Sequence, residues 1–550
     1  MTPAGTAACL AILAAFAFSQ PAAEPSLTRA AEFIRRQKPQ EAETLLRRIV
    51  KTEPGNTGAW NLLGAALDAE SKCRPAEEAF QKAAQLAPAL AGIWNNLGNH
   101  YLACGDPGKA RETFRKVLAL EPAHSNANLQ LARLALDQKE GAEALKRLDR
   151  LSGDELALPA VILLRARALS FAGRKADALV LLDRLEKQAG GPAAWHTLGL
   201  ALAECGEFAR AEALFSRALE ADPANPEILR NLGLAALRAN HSRAVEFLRQ
   251  ALALDPSPGA RLDLVTAISK TSGPQPAMQE LDKTPAQERK GDYYLLKAEL
   301  LDTMGQVKEA GESLNLALAR ESTRPDLYRS AILFFLEHGM DWSATSLLEN
   351  AAKVGRGDRD LQLLQAVVVA RSSRFEESRL LLEQISRRWP EWSRPYLLRG
   401  IVEQNQYRNE EALRSIQTAM NLGEHGPEAC YYLGLALLGV EPPQWMRALE
   451  AARKAMEMSP DDPWAKILAG RISKQAGQYD AALGYFKEAA RIEPGLAQAH
   501  YWLGSTFLAM GKTEEGRHEM AEVDRLRERN PAKVNSEDGG LREKLFALSQ

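Results

Sequence analysis

Eight histidines and five cysteines are spread over 550 residues, and their spacing offers little from which to build a reaction. There is no HExxH and no Cys/His zinc spacing, so the local ligand pairs that most zinc sites start from are not written in the chain. No CxxC occurs, and no GxSxG nucleophile turn. Gly511-Lys512-Thr513 ends like a phosphate loop, but that loop needs a glycine where Thr506 stands. Acidic pairs such as Asp461-Asp462 fall where helices begin, a position in which carboxylates cap free N–H groups and favour the positive end of the helix dipole. The residues capable of chemistry therefore predict no catalytic site, no cofactor site and no metal site. What they leave is binding, and the elements that could organise a binding surface are helices. Ala, Leu, Glu and Arg dominate, aromatics are 6%, and β-branched runs such as Val367-Val368-Val369 are isolated.

The helices repeat. Trp60 and Trp94 are 34 residues apart, as are Gly64 and Gly98, Phe80 and Phe114, and Pro88 and Pro122; Gly199 and Gly233, Gly470 and Gly504, and Pro460 and Pro494 keep the same step. One unit reads in full as Trp94, Leu97, Gly98, Tyr101, Gly105, Ala110, Phe114, Val117 and Pro122. Trp94, Leu97 and Tyr101 share one helix face at i, i+3, i+7. Gly98 removes a side chain where two helices cross, and Ala110 is small for the same reason. Gly105 suits a turn with positive φ, and Pro122 ends the second helix. Trp60 with Gly64, Phe80 and Pro88, then Trp195 with Gly199, Ala211, Phe215 and Pro223, and Gly470 with Ala482, Phe486 and Pro494 are the other strong units. Weaker units keep only the spacing, as with Tyr328, Gly339, Ala344 and Leu348.

This pattern resembles the tetratricopeptide repeat over nearly the whole chain. The resemblance implies an all-α, right-handed α-solenoid of about fourteen or fifteen stacked helical hairpins. It also implies that the first helix of each hairpin lines a groove that receives a peptide or a helix. Transferring the phase gives Asn95, Asn96 and Asn99, then Arg133, Arg167, His196, Arg230 and Asn231 as candidate groove residues. Asparagine amides pair with an extended backbone and arginines with carboxylates, so an acidic or C-terminal peptide is the expected ligand. The carboxylate clamp of chaperone-binding relatives is not matched, because Asn95 and Gln130 stand where that clamp has Lys and Asn.

Domain boundaries follow from breaks in the phase. Residues 1–19 read as a signal peptide: the apolar run from Ala7 to Phe18 is too short to span a bilayer, and Ala17-Phe18-Ser19 supplies small residues before a cut at Gln20. A first array is expected over 26–258 and a second over 291–529. Between them, 259–290 is an irregular stretch crowded with Pro274, Pro276 and Pro285. Residues 530–550 are a polar tail in which Leu541, Leu545 and Leu548 recur at i, i+4, i+7, which fits a capping helix or a mobile tail that docks elsewhere. Four cysteines remain after the signal; Cys73 and Cys104 lie near the turns of adjacent repeats, which leaves a disulfide between them open. A net charge of −2 and a pI near 6.5 argue against a nucleic-acid partner, which wants a basic stripe. The expectation is an exported, periplasmic or secreted scaffold, not an enzyme, with a protein or peptide partner and no transmembrane span. A self-associating envelope component and the regulatory array of a separate enzyme are the alternatives.

Overall fold

A computed structural model describes residues 25–529; the expected signal peptide and the tail lie outside the described residues. Among the described residues the only regular elements are helices, and they form fifteen consecutive hairpins from Pro25–Arg35 with Pro39–Thr52 to Ala497–Ala509 with Thr513–Arg529. The chain is an all-α solenoid. Packing divides the described residues into two units, 25–267 and 268–529. The stretch expected to be irregular folds as the helix Pro258–Ser272, the eight-residue helix Pro274–Leu281 and a 3-10 turn at Ala286–Glu288. Proline at the first position of Pro274–Leu281 is compatible with helix, since that N–H has no acceptor inside it.

The strong repeat units close on the contact the pattern anticipates. A Cβ added to Gly98 would lie 2.6 Å from Phe114 Cε1, and one on Gly64 or Gly199 would lie 2.8 Å from Phe80 or 2.7 Å from Phe215. Gly470 seats Phe486 in the same way. The four phenylalanines are among the largest fully buried side chains, and Ala110, Ala211 and Ala482 are fully buried one turn earlier on the same helices. In most hairpins the turn between the two helices places one residue at positive φ. Gly105 fills it at 77°, and Tyr407 fills it at 58°, where a side chain is strained.

The signature tryptophan has a second role besides packing. Trp60 Nε1 donates to the Pro54 carbonyl at 2.8 Å, Trp94 Nε1 to Pro88 at 2.9 Å, and Trp195 Nε1 to Ala189 at 3.3 Å. Each acceptor lies six residues earlier, at the end of the preceding hairpin. In four hairpins without tryptophan there, the same fourth position of the first helix supplies another donor: Asn128 to Pro122, Gln362 to Arg356, Lys466 to Pro460 and His500 to Pro494. A carbonyl left over at a helix end is thereby satisfied by the next hairpin. Indole is one of several side-chain donors used there, while Ile162 and Leu229 hold the same position in hairpins that lack the bond.

Second helices are less uniform. That of the fourth hairpin stops at Leu148, and Ser152 then starts a short helical turn through a reciprocal cap with Glu155. That of the tenth is divided at Leu347 into Asp341–Ser346 and Leu348–Val354.

Candidate functional site

First helices of successive hairpins lie side by side, and in residues 25–267 polar side chains join them. Asn96 Nδ2 donates to Asn61 Oδ1 at 3.1 Å across the second and third hairpins. Asn126 Nδ2 reaches Asn95 Oδ1 at 2.7 Å and Asn99 Oδ1 at 3.2 Å, and Asn126 Oδ1 accepts from Gln130 Nε2 at 3.3 Å. Further on, Arg167 pairs with Glu204 at 2.5 Å, Asn231 Nδ2 lies 2.8 Å from His196 Nε2, and Arg230 pairs with Asp263. Apart from the Gln130–Asn126 bond within one helix, the partners are 27 to 37 residues apart, about one repeat, so each of these bonds locks one hairpin to the next.

The placement refines the expected groove. Asn95 and Asn96 are 4% and 3% exposed, and their amides are used between helices. Burial and pairing take them out of reach of a ligand, a correction to the expected groove set. Asn99, Arg167, His196 and Asn231 are half-buried, and Arg133 and Arg230 are exposed. On the second-helix side, a shallow groove of about 550 Å³ is lined by Gln81, Trp94, Tyr101 and Lys109, with Lys116 Nζ 4.7 Å above the Trp94 ring.

A second cluster lies around the Cys73–Cys104 bridge, which the positions of the two cysteines had left open, and its other members were not singled out from the sequence. Cys73 and Cys104 form a disulfide with Cα atoms 6.0 Å apart, tying the start of the second helix of one hairpin to the end of the first helix of the next. Beside it His100, 1% exposed, places Nδ1 2.6 Å from Asp68 Oδ1 and 3.8 Å from Cys104 Sγ. The signal was present in two forms. His100 and Cys104 are four apart, on one helix face, and Asp68 and His100 are separated by nearly one repeat, as are the two cysteines. Near-period spacing brings residues of successive hairpins to one corner.

Sequence profiles of the tetratricopeptide repeat match residues 101–156 and 473–532, 192–237, and 443–497. No curated protein matches by sequence. Among solved structures, the chain is similar to the crystal structure of yeast Tom70 at 15% identity, over 89% of this chain and 98% of that one, with a TM-score of 0.32. It is similar to the APC/C hetero-tetramer Cut9-Hcn1 at 12% identity, over 98% of each chain, with a TM-score of 0.45. It is also similar to MamA 41-end from Desulfovibrio magneticus RS-1 at 20% identity, over 32% of this chain and 97% of that one, with a TM-score of 0.29.

Proposed function

Because this chain is a tetratricopeptide-repeat protein, we propose that it is a non-enzymatic scaffold holding an extended, acidic segment of another protein along the first helices of residues 25–267. The observation that carries this reading is the mixed state of that polar seam. Its buried amides fix the spacing of the hairpins, while along the same line Asn99 is half-buried and Arg133 and Arg230 are exposed. A half-buried amide can pair with a peptide backbone, and guanidinium groups can bind carboxylates in a forked geometry. The scaffold works outside the reducing cytosol. The apolar run before Ser19 supports export, and the Cys73–Cys104 bridge supports an oxidising compartment, where such bonds persist.

A second reading, self-association, is favoured by three side chains of the other unit. Trp342, Tyr407 and Met446 are 82%, 88% and 88% exposed, and all three stand at or just after the turn between the two helices of their hairpins.

Capture of the tagged full chain from its own host after mild crosslinking separates these readings. A variant carrying Asn99→Ala, Arg133→Ala and Arg230→Ala runs beside it. Enrichment of one partner that falls about tenfold in the variant, with unchanged helicity, supports the groove. Equal recovery in both removes the groove assignment. Recovery of the chain alone, with a mass that rises with concentration, moves the self-association reading ahead.

A further inference from the structure

The corner of the second and third hairpins carries more chemistry than a scaffold needs. Asp68, His100 and Cys104 each present a ligand atom within 4.8 Å of the others, and Cys73 is bonded to Cys104. The Asp68 side chain is 8% exposed and that of His100 1%, whereas Cys73 is exposed. In the equivalent position of neighbouring hairpins the buried residue is apolar, Ala66 before His100 and Leu134 after it. Packing alone does not ask for an imidazole at this point, nor for a carboxylate and two sulfurs around it.

We propose that Asp68, Cys73, His100 and Cys104 form a zinc site that the disulfide closes and a dithiol opens. Two thiolates, one imidazole and one carboxylate are a four-coordinate set of the kind Zn²⁺ takes, and the sulfurs disfavour Mg²⁺ and Ca²⁺. With bonds of about 2.0–2.3 Å, a tetrahedral ion holds its ligand atoms about 3.3–3.8 Å apart. Nδ1 and the Cys104 sulfur already stand at 3.8 Å. The Asp68 oxygen must retreat from Nδ1 by less than about an ångström, and the two sulfurs must part.

The chemistry balances in two steps. A dithiol reductant attacks the exposed end of the bridge; the Cys73–Cys104 bond takes up two electrons and two protons and becomes two thiols, while the dithiol closes to its own disulfide. Zn²⁺ then displaces the two thiol protons to solvent, because the thiolate is the ligand. In the oxidised state neither sulfur has a charge to give, and the ion is excluded. The joint between the two hairpins is consequently tied in both end states, by a covalent bond or by a metal, and untied only in the reduced, metal-free chain. This inference stands whether or not the proposed groove binds a peptide.

The full chain, reduced with dithiothreitol and desalted without oxygen, is titrated with Co²⁺ and then with Zn²⁺. One equivalent of Co²⁺ is expected to give tetrahedral visible absorption with a thiolate charge-transfer band, both erased by Zn²⁺. The oxidised chain is expected to take up none. Asp68→Asn and His100→Ala are expected to weaken binding by about tenfold or more, and Cys73→Ser to reduce the charge-transfer intensity. Buried Cys205 and Cys430 are replaced by Ala in a parallel background so that the signal reports this pair. Absence of the charge-transfer band in the reduced chain overturns the proposal. So does equal uptake by the oxidised chain, or affinity unchanged in both Asp68→Asn and His100→Ala while helical circular dichroism is retained.

Discussion

The fifth and sixth positions of the first helices divide the molecule into two chemistries. In residues 25–267 they include Asn61, Asn95, Asn96, Gln130, His196, Arg230 and Asn231. In residues 268–529 the same positions hold Leu363 and Leu364, Leu397 and Leu398, Tyr431 and Tyr432, and Ile467 with Leu468, all nearly fully buried. Exceptions include Leu62, Leu129, Leu163, Leu164 and Leu262 in the first unit and Arg329 and Ser330 in the second. The hairpin itself is unaffected: Gly98 seats Phe114, and Gly400 seats Ile416 at 2.5 Å from an added Cβ. One fold thus accepts two kinds of seam. The difference teaches what each seam is for. Apolar side chains contribute burial without direction, whereas amides and ion pairs bond only in one register and leave donors at the surface.

The comparison breaks most visibly if a polar residue is placed in the apolar seam. Leu398 is 1% exposed, and its counterparts in the adjacent hairpins are Leu364 and Tyr432. Leu398→Asn loses a packed side chain and buries an amide with no matching amide across the seam. A destabilisation of about 3–5 kcal/mol is expected, from the cost of truncating a core leucine together with that of an unsatisfied polar group. Because each hairpin depends chiefly on its neighbours, hydrogen exchange should quicken in Ser393–Asn405 and the helices packed on it, and stay unchanged in the hairpins near Asn96. Uniform acceleration along the chain would mean that the seam is not local.

The converse exchange is expected to cost less. Asn96 Nδ2 bonds to Asn61, while Asn96 Oδ1 is buried without a partner, so this pair is only partly satisfied. Asn61→Leu alone strands the Asn96 amide and should cost about 1–3 kcal/mol. Asn61→Leu with Asn96→Leu converts this step of the seam to the apolar kind and should recover most of that loss, since replacing both partners is close to neutral. A double variant as unstable as the single one would show that shape, and not the unpaired amide, sets the cost.

Much of this was legible from the sequence, because period and residue type act locally. The Gly–Phe seats at Gly64, Gly98, Gly199 and Gly470 follow from a 34-residue step and from the room a glycine leaves. The donor at the fourth helical position was legible only where it was tryptophan. Asn128, Gln362, Lys466 and His500 share no side-chain class, and only their common acceptor six residues earlier reveals the role. The seam was half legible: the phase placed Asn95 and Asn96 on first helices, but whether an amide faces solvent or the next helix depends on the angle between hairpins, which no single repeat encodes. The corner at Asp68, Cys73, His100 and Cys104 is assembled from two repeats, so no local motif carries it.

A smaller effect sharpens the contrast from inside the apolar seam. Glu403 is 4% exposed and occupies, in its hairpin, the place that Tyr101 holds in the third. Ser415 Oγ donates to its Oε2 at 2.6 Å, and Arg399 Nε lies 3.5 Å from Oε1. Burial pushes the carboxyl above the ordinary glutamate range; the Ser415 hydroxyl, Arg399 and Arg379 pull it down, and Glu411 pushes it up. Between the ordinary value of about 4.3 and the raised one, the folded chain keeps a proton that the unfolded chain has released. Stability therefore falls as pH rises through that window, and above it the fold carries a buried carboxylate. Glu403→Gln keeps an oxygen for Ser415 and removes the charge. It should raise the melting temperature at neutral pH, and the gain should vanish as the pH drops below the ordinary glutamate range, where the wild-type carboxyl is itself neutral. If the variant is instead less stable at neutral pH and equal to wild type in acid, the Arg399 pair outweighs the burial, and this point of the seam belongs with the polar kind found in the other unit.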